Sequence, residues 1–123
     1  MTKEQFINHG WTLVWENEAP TSEFGAQTIP IDLSEYDEVA VVARSHTTVE
    51  HQEVWFSLIG GGDTCMWTMT SISASTAIYV SWRVFTPTAT GVSFTANTRK
   101  SATVTTAGQT ANGFIIPCYI YAR

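Results

Sequence analysis

The sequence predicts an all-β domain, a jelly-roll-like antiparallel β-sandwich of eight or nine strands. Three observations carry this. Short alternating stretches of apolar and polar residues recur along the chain, separated by turn residues. No stretch shows the 3.6-residue apolar period of an amphipathic helix. Val39, Ala40, Val41, Val42 and Ala43 are apolar on both parities. Such a run, short and rich in β-branched residues, marks a central strand covered on both sides. A chain of 123 residues makes one domain with its own core. The expected organisation is a lead-in over residues 1–9 and a single β-sandwich over residues 10–123.

The lead-in is polar apart from Phe6 and Ile7. It is expected to form a short helical turn, or to lay those two side chains on a neighbour. Residues 10–16 alternate, with Trp11, Leu13 and Trp15 on one face and Thr12 and Val14 on the other. Residues 17–22 are a turn by composition. Residues 24–45 organise the rest as strand, corner, strand. Ile29, Ile31 and Leu33 share one face of the first strand. Ser34, Glu35, Tyr36 and Asp37 make the corner between the two layers, with Ser34 capping a single helical turn. The Tyr36 ring is read as a plug that pins the corner, or as a simple cover for the sheet end.

Residues 46–52 read as a polar hairpin tip and 53–59 as the next strand. Gly60, Gly61, Gly62 and Asp63 form a turn that can take positive φ. Residues 64–69 make a strand with Cys65, Trp67 and Met69 on one face. Residues 71–76 are a loop anchored by Ile72. Residues 77–86 are a long strand. Its Ile78, Val80, Trp82 and Val84 are assigned to the core, and Tyr79, Ser81, Arg83 and Phe85 to the opposite side. Pro87 ends it.

Residues 91–97 alternate, with Val92, Phe94 and Ala96 inside and Ser93, Thr95 and Asn97 outside. Residues 98–100 turn the chain, and 101–106 alternate again with Ala102 and Val104 inside. A turn-rich loop over 107–112 leads to a closing strand, 113–122. Pro117 removes a ladder donor there, which puts that strand at an edge or at a bulge. Tyr36, Trp11, Trp15, Trp82 and Pro117 are the expected structural anchors.

The net charge of −5 argues against nucleic acid as a partner. Its distribution says more. All eleven acids lie at or before Asp63, against Lys3 and Arg44 as the only bases there, a net of −9. Residues 64–123 hold no acid and carry Arg83, Arg99, Lys100 and Arg123, a net of +4. The halves are expected to attract, within one subunit or between neighbours; a solvated acidic face is the plain alternative. The start is polar with no apolar run behind it, so no signal peptide is expected. No run approaches the roughly 20 apolar residues of a membrane span, so no membrane partner is expected. Cys65 and Cys118 lack metal and CxxC spacing and read as free, buried, small apolar residues.

No catalytic constellation stands out, and no enzyme and no cofactor are expected. GxSxG, Walker A and GxGxxG motifs are absent. His46 and His51 flank one loop with Glu50 and Glu53 nearby, but a metal needs three or four converging ligands, and solvated histidines are the simpler reading. Glu50, Glu53 and Asp63 are the carboxylates available for glycoside hydrolysis, and their loop placement speaks against it. Trp55, Trp67, Tyr79 and Arg83 are candidates to line a sugar-binding face by ring stacking. Core packing is the plainer reading of each Trp.

Five stretches carry a resemblance: residues 10–17 (GWTLVWEN), 19–22 (APTS), 24–29 (FGAQTI), 31–37 (IDLSEYD) and 116–121 (IPCYIY). Together they resemble a family of small β domains in tail-fibre, baseplate and other virion-surface proteins of phages and prophages of Gram-positive gut bacteria. The family pattern runs Trp-x-Leu-x-Trp, then Phe-x-Ala-Gln-x-Ile/Val ahead of Asp-Leu-Ser-x-Tyr-Asp, then Ile-Pro-x-x-Ile-Tyr. The match covers residues 10–121 and is firmest in the first third and the last strand. Its motifs are structural, so no catalytic or binding residue carries over.

The resemblance implies a jelly-roll-like sandwich, often trimeric, at the exposed end of a fibre. Members usually end a longer fibre, whereas Met1 leaves nine residues here, which favours a capsid decoration, a head-fibre protein or an excised tip. The expectation is a homotrimeric virion structural protein, folded in the host cytoplasm and displayed on the virion surface. Its partners would be other virion proteins and a host-surface glycan. The alternative is a carbohydrate-binding module for bacterial surface glycan. The closing strand, with Phe114, Ile115, Ile116, Tyr119, Ile120 and Tyr121, is expected to be an edge that a neighbouring subunit covers.

Overall fold

The computed structural model describes residues 2–71, 78–101 and 108–123. The described residues form one short helix, α1 (Lys3–Asn8), and ten strands. These are β1 (Thr12–Glu16), β2 (Gln27–Pro30), β3 (Glu38–His46), β4 (Val49–Leu58), β5 (Thr64–Ser71), β6 (Ile78–Thr88), β7 (Gly91–Phe94), β8 (Thr98–Ser101), β9 (Gln109–Thr110) and β10 (Phe114–Ala122). One sheet runs β1-β10-β3-β4; the other runs β2-β7-β6-β8-β9, with β5 also paired to β6. Every pairing is antiparallel. The all-β antiparallel sandwich expected from the alternation is what the chain forms. The readings for Ile72 and its loop, for Ala77, and for Ala102 and Val104 lie outside the described residues.

The main core fills the space between the sheets. Val39, Val41, Ala43, Ile120 and Ala122 meet Ile29, Met66, Phe85, Val92 and Phe94 there. Burial of each large side chain of this kind contributes about 1.5–3 kcal/mol. Val39 to Ala43 are all buried, as a strand apolar on both parities requires. One parity faces the core; Ala40 and Val42 face outward into a second cluster with Phe6, Trp11 and Tyr121. Helix α1 supplies the cover for that outer face. Thr2 and Gln5 form its capping box. Phe6 stacks on Tyr121 with ring centroids 4.2 Å apart. The short helical turn of the lead-in is therefore present, and Phe6 packs on its own sheet while Ile7 stays exposed.

The stretch over residues 24–45 does carry the chain from one sheet to the other, since β2 and β3 belong to different sheets. Asp32, not Ser34, organises the corner. Its Oδ1 accepts from the Ser34 amide at 3.1 Å and from the Ser34 hydroxyl at 2.6 Å, which holds the Asp32 carboxyl below its ordinary pKa. That is an Asx turn; no helical turn forms, and the Tyr36 amide closes a tight turn on the Leu33 carbonyl at 3.1 Å. Tyr36 is half-buried against the main core.

Five further expectations are corrected. Strand β10 is not an edge: it lies between β1 and β3, and Pro117 sits where its register with β3 slips, so its missing donor falls at a bulge. Trp11 and Trp15 do not share a face. A bulge between Leu13 and Trp15 switches the parity of β1, so Trp11 joins the outer cluster and Trp15 packs on the main core. Residues 98–101 are strand, not turn. They continue the line of β7 along β6 after a one-residue slip, and the slip turns Asn97 inward, where its Nδ2 donates to the Ala111 carbonyl at 3.0 Å. Pro87 lies within β6, past the end of its pairing with β5 at Phe85. Finally, the two faces of β6 are inverted, and the candidate site follows from that inversion.

Candidate functional site

Strand β6 buries Ser81, Arg83, Phe85 and Pro87 and turns Ile78, Val80, Trp82 and Val84 outward. The pairing with β5 extends the same parity. Cys65 lies opposite Val84, Trp67 opposite Trp82, and Met69 opposite Val80. Directly opposite residues of an antiparallel pair share a face. The outer side of β5 and β6 is therefore a largely apolar surface that carries two tryptophans at directly opposite positions. Trp67 is 55% exposed, Met69 62% and Ile78 43%. No Asp, Glu, Lys, Arg or His occurs between Thr64 and Trp82. On β8, Thr98 and Lys100 stand opposite Trp82 and Val80. Further along the same side, Thr86 donates to Asp63 at 2.6 Å and Thr28 contacts Ser93 at 3.0 Å, so the apolar patch has a polar border.

The inward parity is organised by Arg83, which is fully buried. Its Nε donates to the Ile115 carbonyl at 3.0 Å, and its two terminal nitrogens to Thr95 at 2.7 Å and Phe114 at 3.3 Å. The guanidinium also faces the Phe24 ring at 5.3 Å. Burial lowers its pKa to about 10, so it remains a cation at neutral pH. Ile115 has φ 48°, the left-handed region that a β-branched residue rarely enters. The carbonyl that accepts from Arg83 belongs to that residue. Arg83 thus links β6 of one sheet to β10 of the other and fixes a strained turn of backbone.

The four residues expected to line a sugar face are not brought together. Trp67 alone is openly exposed. Trp55 packs against the main core, Arg83 is interior, and Tyr79 lies half-buried beneath Arg99, whose guanidinium is 3.9 Å from its ring. Trp82, expected in the core, is instead the outward neighbour of Trp67. The sequence held a signal for this face. The apolar parities of residues 64–69 and 78–84 match across a stretch without charge, but alternation alone does not say which parity is inside.

The remaining candidates separate. His51 bonds Glu53 at 3.3 Å on β4, and His46 bonds Thr48 at 2.9 Å and meets Phe114 edge to face. No group of three metal-ligating side chains occurs among the described residues. Asp63 is engaged by Thr86, away from Glu53 and Glu50. Glu50 instead lines an open cleft of ≈ 900 Å³ with Glu16, Glu18, Arg44, Cys118 and Tyr119. Both cysteines are free, but only Cys118 is buried; Cys65 is exposed, because it takes the outward parity of β5. Among the described residues, no helix is long and apolar enough to cross a membrane.

Among the described residues the charge halves meet where Arg123 pairs with Glu38 and donates to the His9 carbonyl. Lys3 pairs with Glu16 at 3.3 Å, within the first half. Comparison of the chain with protein-family models, with curated proteins and with solved structures finds no match.

Proposed function

We propose that this domain is a structural component of a phage virion surface, on tail fibre, baseplate or capsid, working as a homotrimer and contacting other virion proteins or the host. One observation carries the assembly part. Strand β6 places an arginine in the interior and leaves its more apolar parity outside, next to the apolar parity of β5. Apolar surface is stabilising only when it is removed from water, and a strand apolar on its outward side is built to be covered. The virion setting rests on the resemblance in residues 10–37 and 116–121. An assembling role needs no catalyst. Light scattering on purified protein at micromolar concentration should give about three times the 13.6 kDa chain mass. A monomer that also leaves phage particles unbound would remove this reading.

A second reading has its own observation. Trp67 and Trp82 stand directly opposite each other on an exposed face, and adjacent indoles stack on pyranose rings. A carbohydrate-binding module for bacterial surface glycan would use that pair. A glycan array, with Trp67→Ala as control, separates the two: specific binding by a monomer supports the module.

A further inference from the structure

We infer that copies of this chain meet around a three-fold axis through the outer face of β5 and β6, each copy turning that apolar surface toward the axis, with Trp67 and Trp82 at the centre of the contact. This rests on the assembly reading above and names its partner and its surface. Charge decides which faces can approach. The chain carries −5 overall and −9 before residue 64. Contacts through the first sheet bring carboxylates of two copies together. The stretch from Thr64 to Trp82 holds no charge, so copies that meet there keep their acidic halves apart.

The edge points the same way. Among the described residues strand β5 pairs only with β6, and Thr64–Ser71 contains no charge, proline or glycine of the kind that normally blunts a free edge. A neighbour seated on this side covers the edge and the face together.

The rival contact, acidic half to basic half, has little to work with. Of the four bases after residue 63, Arg83 is interior and Arg123 bonds its own Glu38. Arg99 lies between the rings of Tyr79 and Phe114, at 3.9 and 4.6 Å. That leaves Lys100, a single exposed lysine, which orients a contact more than it holds one. Cys65 lies within the proposed contact and reports on it.

The test compares the mass in solution of the wild-type chain, Trp67→Lys and Phe56→Lys. Phe56 is 51% exposed on the other sheet and serves as the control. Wild-type protein should assemble, hold together in about 1 M salt, and label with maleimide at Cys65 more slowly as concentration rises. Trp67→Lys should weaken association more than about tenfold with an unfolding midpoint no lower than that of wild-type protein diluted to monomer, while Phe56→Lys stays assembled. Met69→Lys, at a side chain 62% exposed, carries the same test if Trp67→Lys misfolds. Assembly that survives both face variants, or dissolves in high salt, overturns this surface and leaves the assembly reading standing. A wild-type chain that is monomeric at every concentration overturns this surface, and overturns the assembly reading as well if that monomer leaves phage particles unbound; sugar binding by that monomer, lost in Trp67→Lys, assigns the face to glycan.

Discussion

Replacing Arg83 with Met should destabilise the fold by about 2–4 kcal/mol. The side chain is fully buried and holds the carbonyls of Ile115, Thr95 and Phe114. Each carbonyl left without a donor costs about 1–3 kcal/mol, so three represent a gross loss of about 3–9. Against this, the variant no longer buries a guanidinium, and relief of that desolvation returns several kcal/mol. The left-handed conformation of Ile115 costs about 1–2 kcal/mol in either chain, so any relaxation of it in the variant returns part of the loss.

Urea unfolding followed by tryptophan fluorescence reads the difference directly, at one fixed protein concentration so that assembly contributes equally. The midpoint should fall with little change in slope. Arg83→Lys should fall between the two, since an ammonium donates but cannot span three carbonyls with a planar fork. A loss under about 0.5 kcal/mol for Arg83→Met would show that the three bonds only compensate the cost of burial. A gain in stability would show that an apolar side chain is the better core residue at this position.

Two other outcomes follow from the same geometry. Tyr36→Ala should cost about 1–2 kcal/mol, below the 3–5 typical of a fully buried aromatic, because the ring is only half-buried; an unchanged unfolding midpoint would place it on the surface. Cys118 is buried, which raises its thiol above the ordinary 9.0, so above pH 9.0 the unfolded chain loses that proton while the folded chain keeps it. Stability should therefore fall as pH rises past 9.0, and Cys118→Ala should show a shallower decline in calorimetric scans; equal slopes would mean that the thiol ionises freely in the native state.

What could be read from the sequence, and what could not, divides along a physical line. The run Val39 to Ala43 declared a doubly covered strand because both parities were apolar, and no partner had to be known. Gly60 and Gly62 declared their turn through backbone freedom, and both take positive φ, 77° and 99°. Strand β6 was misread because period two fixes which residues share a face and leaves open which face is inside. The answer lay with Arg83, whose three acceptors come from residues remote in sequence. Pro117 pointed to an edge or a bulge with equal logic, and only the pairing of β10 on both sides decided it. Trp11 and Trp15 were separated by a bulge that leaves no mark in the alternation. The outward face of β5 and β6 was present in the letters as a stretch without charge, but apolar composition alone reads as core.

The place of β10 governs the order in which the chain can fold. Thr12 pairs with Ala122 and Ala40 with Tyr121, so β10 is the strand that joins the first strand to the third. On a ribosome, the four-stranded sheet cannot close until β10 has left the exit tunnel. Until then Val39 to Ala43, paired on one side with β4, present an open apolar edge, a target for chaperones and for other nascent chains. Contacts that span almost the full length make folding slow for a domain this small. Deleting the final ten residues would remove the middle of a sheet and not its border, and should abolish folding outright.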